Sequence, residues 1–216
     1  QAYILLGSAF LAKREPAKAT EAYRTLQKRA PKDPRGPFLV GIGLRAQGKP
    51  AEARKEFEAA LTLAPGYVDA VAQLVAMARA DKQPDAALSR ITKQIAQAPT
   101  SGGLQTLLGI LYLTRREPAL AESAFLKAIE LQPRLIEPYV RLGNLYQHSG
   151  RYNEALVRFE EALKVDPRNT AAQTLLAVLY EGKGEIAKAQ QAYERTLALN
   201  PRFAPAANNL AWLYSE

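Results

Sequence analysis

Apolar residues along this chain recur at steps of three, one and three, the spacing of one helix face. Between Ile136 and Asn169, Tyr139, Leu142, Gly143 and Tyr146 make one such face. After Gly150 and Arg151 a second follows with Tyr152, Ala155, Leu156, Phe159, Ala162 and Leu163. This period is that of an amphipathic helix, not the strict alternation of a half-buried strand. Each pair of faces therefore predicts a helical hairpin, bounded by glycine at its turn and by proline beyond its end. The pattern returns with Leu108, Gly109, Tyr112, Ala121, Phe125 and Ala128, and with Val40, Gly41, Leu44, Ala53, Phe57 and Ala60.

The prolines supply the period. Pro31, Pro65, Pro99, Pro133, Pro167 and Pro201 are spaced by 34 residues, and Pro16, Pro50, Pro84 and Pro118 form a second series with the same step. The remaining four, Pro34, Pro37, Pro138 and Pro205, fall shortly after the first series, where a new helix begins. Proline has no N–H and clashes with the preceding turn, so it is tolerated in a helix's first turn or past its end, where both series place it.

A 34-residue helix–turn–helix unit repeated along the whole chain resembles the tetratricopeptide repeat. The resemblance implies an all-α fold, a right-handed superhelical α-solenoid forming one array. Its repeats span about 1–33, 34–67, 68–101, 102–135, 136–169 and 170–203, with the first helix of a seventh at 204–216. The third unit departs most, with Val75, Ala78, Ile91 and Gln94 where the pattern has Gly, Tyr, Phe and Ala. With Ile136 as position 1, position 20 is Ala19, Ala53, Ala87, Ala121, Ala155 and Ala189, and position 8 is mostly Gly or Ala. Small residues at both places suit a close crossing of the two helices. Tyr23, Phe57, Phe125, Phe159 and Tyr193, with Tyr112, Tyr146 and Tyr180, fill the space around it as core. Gly41, Gly43 and Gly48 do not form a phosphate loop, because the pattern sets the first two inside a helix and the third at its end.

Composition narrows the chemistry. The 216 residues carry a net charge of +8, no Cys and one His, His148. Disulfides, thiol nucleophiles and Cys/His zinc sites are thereby excluded, and a metal could be held by carboxylates alone. Ser149 is the one serine with a His in its repeat, His148, and that pair lacks the third member of a triad; Glu160 and Glu161, adjacent on a helix, point apart. The expectation is no enzyme, no cofactor and no metal. No apolar run approaches the roughly 20 residues needed to span a bilayer. The chain opens on Gln1 within a patterned helix and closes inside another, which reads as a piece of a longer protein whose apolar ends promote end-to-end self-association.

The resemblance implies a concave face built from positions 2, 5, 9 and 12 of each first helix. The partner-binding candidates on it are Arg35, Phe38, Ile42, Arg45 and Arg79, then Ile110, Leu113, Val140, Asn144, Gln147, Val178 and Glu181. Apolar side chains with isolated Arg and Asn groups suit an extended peptide or amphipathic helix. A carboxylate clamp of the kind some relatives use for chaperone tails is not expected: Asn144 matches it, but Val140 stands at the Lys place and Leu175 at the following Asn place. The Asn ladder of superhelical relatives is missing too. Residues 1–33 carry net +4 while residues 136–169 are neutral. The basic residues are interspersed with Glu and lack an exposed stacking motif, so nucleic acid is disfavoured as a partner.

The leading reading is a non-catalytic protein–protein interaction scaffold that binds a peptide segment or partner protein on its concave face. Residues 206–214 weakly resemble bacterial repeat proteins of envelope and exopolysaccharide-export assemblies, which implies a periplasmic setting. The alternatives are a substrate-recruiting arm of a larger enzyme such as a glycosyltransferase, and a nucleic-acid-associated adaptor. The Gly102–Gly103 pair after Pro99 predicts a flexible joint between the third and fourth units.

Overall fold

The computed structural model describes residues 1–215. Every regular element among the described residues is an α-helix: α1 (Ala2–Ala12), α2 (Pro16–Arg29), α3 (Arg35–Ala46), α4 (Pro50–Leu63), α5 (Val68–Ala80), α6 (Pro84–Gln97), α7 (Gly102–Thr114), α8 (Pro118–Leu131), α9 (Ile136–His148), α10 (Tyr152–Val165), α11 (Thr170–Gly182), α12 (Ile186–Leu199) and α13 (Ala204–Ser215). The fold is all-α, a series of tandem helix–turn–helix repeats. Odd-numbered helices are the first of each hairpin and even-numbered helices the second.

The two proline series set the helix limits. Pro16, Pro50, Pro84 and Pro118 are the first residues of α2, α4, α6 and α8, where a missing N–H costs nothing. Tyr152 and Ile186 start α10 and α12 at the same phase without proline. Within each hairpin the turn is a Schellman closure. The N–H of Lys49 donates to the Leu44 carbonyl at 3.0 Å and that of Gly48 to Arg45 at 3.0 Å; Arg151 to Tyr146 at 2.9 Å and Gly150 to Gln147 at 3.1 Å repeat it. The central residue must be left-handed. Gly48, Gly150 and Gly184 sit at φ near +73°, and Arg14, Lys82 and Arg116 hold the same conformation at φ 58–62° in the other three hairpins.

Packing inside the hairpins explains the recurring small residues. Ala19, Ala53, Ala87, Ala121, Ala155 and Ala189 are all fully buried. The glycines at position 8 meet the aromatic ring of the second helix. A Cβ on Gly41 would lie 2.6 Å from Phe57, and one on Gly109 or Gly143 would lie 2.5 Å from Phe125 or Phe159. The small residue opposite the fully buried Phe or Tyr is thus a seat for the ring, a more specific role than an alanine–glycine crossing.

The chain forms two compact units, residues 1–108 and 109–216. In the first, Tyr23, Phe57, Val71, Leu74 and Ile91 are buried, and Gln94 fills the third repeat's Ala place by donating from Nε2 to the Pro65 carbonyl at 2.9 Å. Gly103 is in close contact there as well, since a Cβ on it would stand 2.7 Å from Val68. In the second unit one cluster gathers Phe125, Leu142, Tyr146, Phe159 and Leu176, and another gathers Ala177, Tyr193, Ala206, Leu210 and Leu213.

Candidate functional site

The first-helix candidates are placed as follows. In the first unit, Arg35 is exposed, and its guanidinium donates to both carboxylate oxygens of Asp33 at 2.7–3.0 Å. That bond holds the Asp33 carboxyl below the usual range. Phe38 is half-buried, 5.8 Å from the ring of Phe57 and edge-on to Tyr67 at 5.2 Å. Ile42 is half-buried beside exposed Arg45, whose Nη1 donates to Gln73 Oε1 of the following first helix. Arg79 is exposed. Arg45 and Ala76 line a pocket of about 400 Å³ with Pro50 and Ala51, edged by the Arg54–Asp81 ion pair at 2.8 Å.

In the second unit, Ile110 and Leu113 are half-buried against the Phe125–Phe159 cluster. Val140 and Asn144 line a pocket of about 340 Å³ between α9 and α11, with Ile136, Asn169 and Ala171. Glu137 and Arg141, paired at 3.0 Å, border it. Gln147 is half-buried one turn further on, and Val178 packs against the Tyr193 cluster. Glu181 faces inward: it accepts a hydrogen bond from the Tyr193 hydroxyl at 2.8 Å, and that hydroxyl also accepts one from Asn209 at 2.9 Å. Burial is the main cause that pushes the Tyr193 phenol well above its ordinary pKa. Thr106, another residue on the expected inner positions, is buried and donates to the Gly102 carbonyl, so it offers no surface.

Several charged groups are tied to one another. Arg151 bonds Glu122 at 2.7 Å, also bonds Glu154, and lies 4.0 Å from the centre of the Tyr146 ring. Arg151 keeps the Glu122 carboxyl below its ordinary pKa; burial opposes this, and the Tyr146 hydroxyl, donating at 2.8 Å, adds to it. His148 is exposed, with Nδ1 2.7 Å from the Asn144 carbonyl oxygen, a helix-end contact. Among the described residues no group of three or more His, Asp or Glu side chains is placed to hold a metal ion.

One feature lies away from the first-helix positions. A cavity of about 790 Å³ lies on the second-helix side, between α10 and α12, with α11 at its base. The sequence signal for it is at position 23, where Glu56, Arg90 and Arg158 give way to Ala192.

Models of the tetratricopeptide repeat match residues 1–33, 124–157 and 146–213. No match was found among curated proteins. Solved structures share the fold. Yeast Tom70 aligns with a TM-score of 0.84 at 18% identity, over 99% of this chain and 46% of that one. The APC/C hetero-tetramer Cut9-Hcn1 aligns with 0.66 at 16% identity, over 98% of this chain and 42% of that one. YrrB, described as a TPR protein with an unusual peptide-binding site, aligns with 0.57 at 20% identity, over 88% and 98%. This chain thus spans less than half the length of the first two. Among the described residues no helix is long and apolar enough to cross a membrane. The repeat models together cover more than half of the chain, and their hairpin is the one seen in both compact units: the chain belongs to the tetratricopeptide repeat family.

Proposed function

We propose that this chain is a non-catalytic scaffold that holds an extended peptide segment of a partner protein on its first-helix positions. The supporting observation is the α9–α11 pocket. Val140 and Ile136 give it apolar lining, and the half-buried side-chain amide of Asn144 has no hydrogen-bond partner among the described residues. An amide in that state can donate to and accept from a peptide backbone, while the apolar lining takes a side chain. The neighbouring charges, Glu137 with Arg141, are already paired and serve to fix register more than affinity.

The test is partner capture with the intact gene product, followed by titration of the captured partner against Val140→Glu and Asn144→Ala proteins whose melting matches the parent. At least about tenfold weaker binding is expected, the usual effect of removing one well-buried side chain from an interface. Undiminished binding by both folded variants would move the site elsewhere. Binding that collapses steeply with salt would favour the nucleic-acid reading instead. An exopolysaccharide-export setting gains no support from any residue of this site. We also propose end-to-end self-association, supported by exposed Leu5 and Leu6 on α1 and exposed Trp212 and Tyr214 on α13.

A further inference from the structure

In two pairs of successive second helices the residue at position 23 of the later helix meets a side chain of the earlier one. Across α2 and α4 that residue is Glu56, which accepts a hydrogen bond from Gln27 at 3.1 Å. Across α4 and α6 it is Arg90, which reaches Glu58 with an Nη1–Oε2 distance of 3.0 Å. On α10 the residue is Arg158, paired along its own helix with Glu161 at 2.7 Å. On α12 it is Ala192, which is buried in the Tyr193 cluster and has no long side chain to extend toward α10, and the 790 Å³ cavity opens beside it. Alanine also holds this position at Ala22 and at Ala124, the latter on a helix whose preceding second helix belongs to the other compact unit.

The lining has a definite chemistry. Leu163, Leu176 and Leu199 supply its apolar surface. Around them stand Lys164, Lys188 and Arg195, against a single acid, Glu160, which takes a hydrogen bond from the Tyr180 hydroxyl at 3.4 Å. Lys188 is held by Glu185 at 2.5 Å and lies over the Tyr180 ring. Lys164 and Arg195 have no ion-pair partner among the described residues, unlike Arg90 and Arg158 on other second helices. Two uncommitted cations flanking a leucine-lined groove are complementary to carboxylates spaced around an apolar side chain.

We propose that the α10–α12 groove is a docking site for an acidic amphipathic peptide segment of a partner protein. Its apolar side chain seats on Leu163, Leu176 and Leu199, and its carboxylates meet Lys164 and Arg195. This site lies on second helices and is separate from the α9–α11 pocket, so either can fail without the other.

The full chain is titrated with a panel of short fluorescent peptides in which Leu or Phe is flanked by Asp and Glu, and with a matched panel carrying Lys at the acidic places. Amide chemical shifts locate the contact. Saturable binding of the acidic panel is expected, with shifts on α10 and α12. Ala192→Arg, which installs the residue already present at 90 and 158, weakens it at least about tenfold, and so does the pair Lys164→Glu with Arg195→Glu. Val140→Glu leaves it unchanged. The charge-reversed pair sits on exposed residues, so the test survives if Ala192→Arg does not fold. The proposal is overturned if no acidic peptide saturates at millimolar concentration, if the Lys panel or a single-stranded oligonucleotide binds more tightly, if the shifts fall on α9, or if the charge-reversed protein binds as the parent does.

Discussion

At single residues, the decisive quantity is the room left for one methyl group. Gly143 lies under the Phe159 ring, where a Cβ would sit 2.5 Å from the nearest ring carbon, whereas Gly182 at the end of α11 has nothing within 4 Å. Alanine is the better helix former at both. At Gly143 the clash outweighs that gain, so Gly143→Ala is expected to lose about 1–3 kcal/mol. Gly182→Ala is expected to gain about 0.5–1 kcal/mol. Thermal melts of the two variants decide the matter, and equal melting temperatures would contradict the ring-seat assignment. Charge acts at this scale too. The carboxyl of Glu122 is held below its ordinary pKa by Arg151. Its contribution to stability is therefore fully present above the unfolded value of about 4.3 and disappears as pH falls through the lower folded value. Glu122→Gln should melt below the parent at neutral pH, and the difference should shrink as pH falls below that range. A difference independent of pH would mean that the charge on Glu122 contributes nothing.

At the scale of helices, ends matter more than middles. Asn169 accepts a hydrogen bond from the N–H of Ala172 at 2.9 Å and so caps α11. Asn169→Ala removes the acceptor and should cost about 1 kcal/mol, read from denaturant unfolding. The start of α7 is built differently. Its Gly102–Gly103 pair costs backbone entropy, yet Ser101 Oγ accepts from the Leu104 N–H at 3.3 Å and Gly103 packs close to Val68. Amides at 100–103 should exchange faster than those of α8 around Phe125, because a helix start lies outside the regular ladder and opens locally at less cost than a helix middle. Exchange slowest at 100–103 would refute a joint at this point. The hairpins themselves were legible in the amino-acid pattern, since the proline series and the apolar steps mark the limits at which the helices begin and end. The ring over each glycine was less legible, because packing between helices cannot be read from residue types alone.

At the largest scale, α1 and α13 each present apolar surface. Leu5 is 71% exposed and Tyr214 64% exposed, with Leu6 and Trp212 beside them. Burying such area against a second copy is favourable by about 25 cal/mol per Å² of apolar surface. Sedimentation should show average mass rising with concentration, and Leu5→Lys with Trp212→Lys should flatten that rise. A constant monomer mass would remove the self-association proposal. The net charge of +8 opposes association at low salt, so the effect should grow as salt is added.

Periodicity and punctuation belong to the sequence. A 34-residue step of proline, alanine and aromatic residues dictated hairpins because local sterics and amphipathic burial act within a few residues of one another. Which side chains are left open to solvent was decided by tertiary packing. Glu181, a surface candidate by position, turns inward to Tyr193, and Thr106 is covered, since burial depends on neighbours far along the chain. The α10–α12 groove opens beside Ala192, at the repeat position where Glu56 and Arg90 reach the preceding second helix. A missing side chain becomes a cavity only when the helices around it have been brought together.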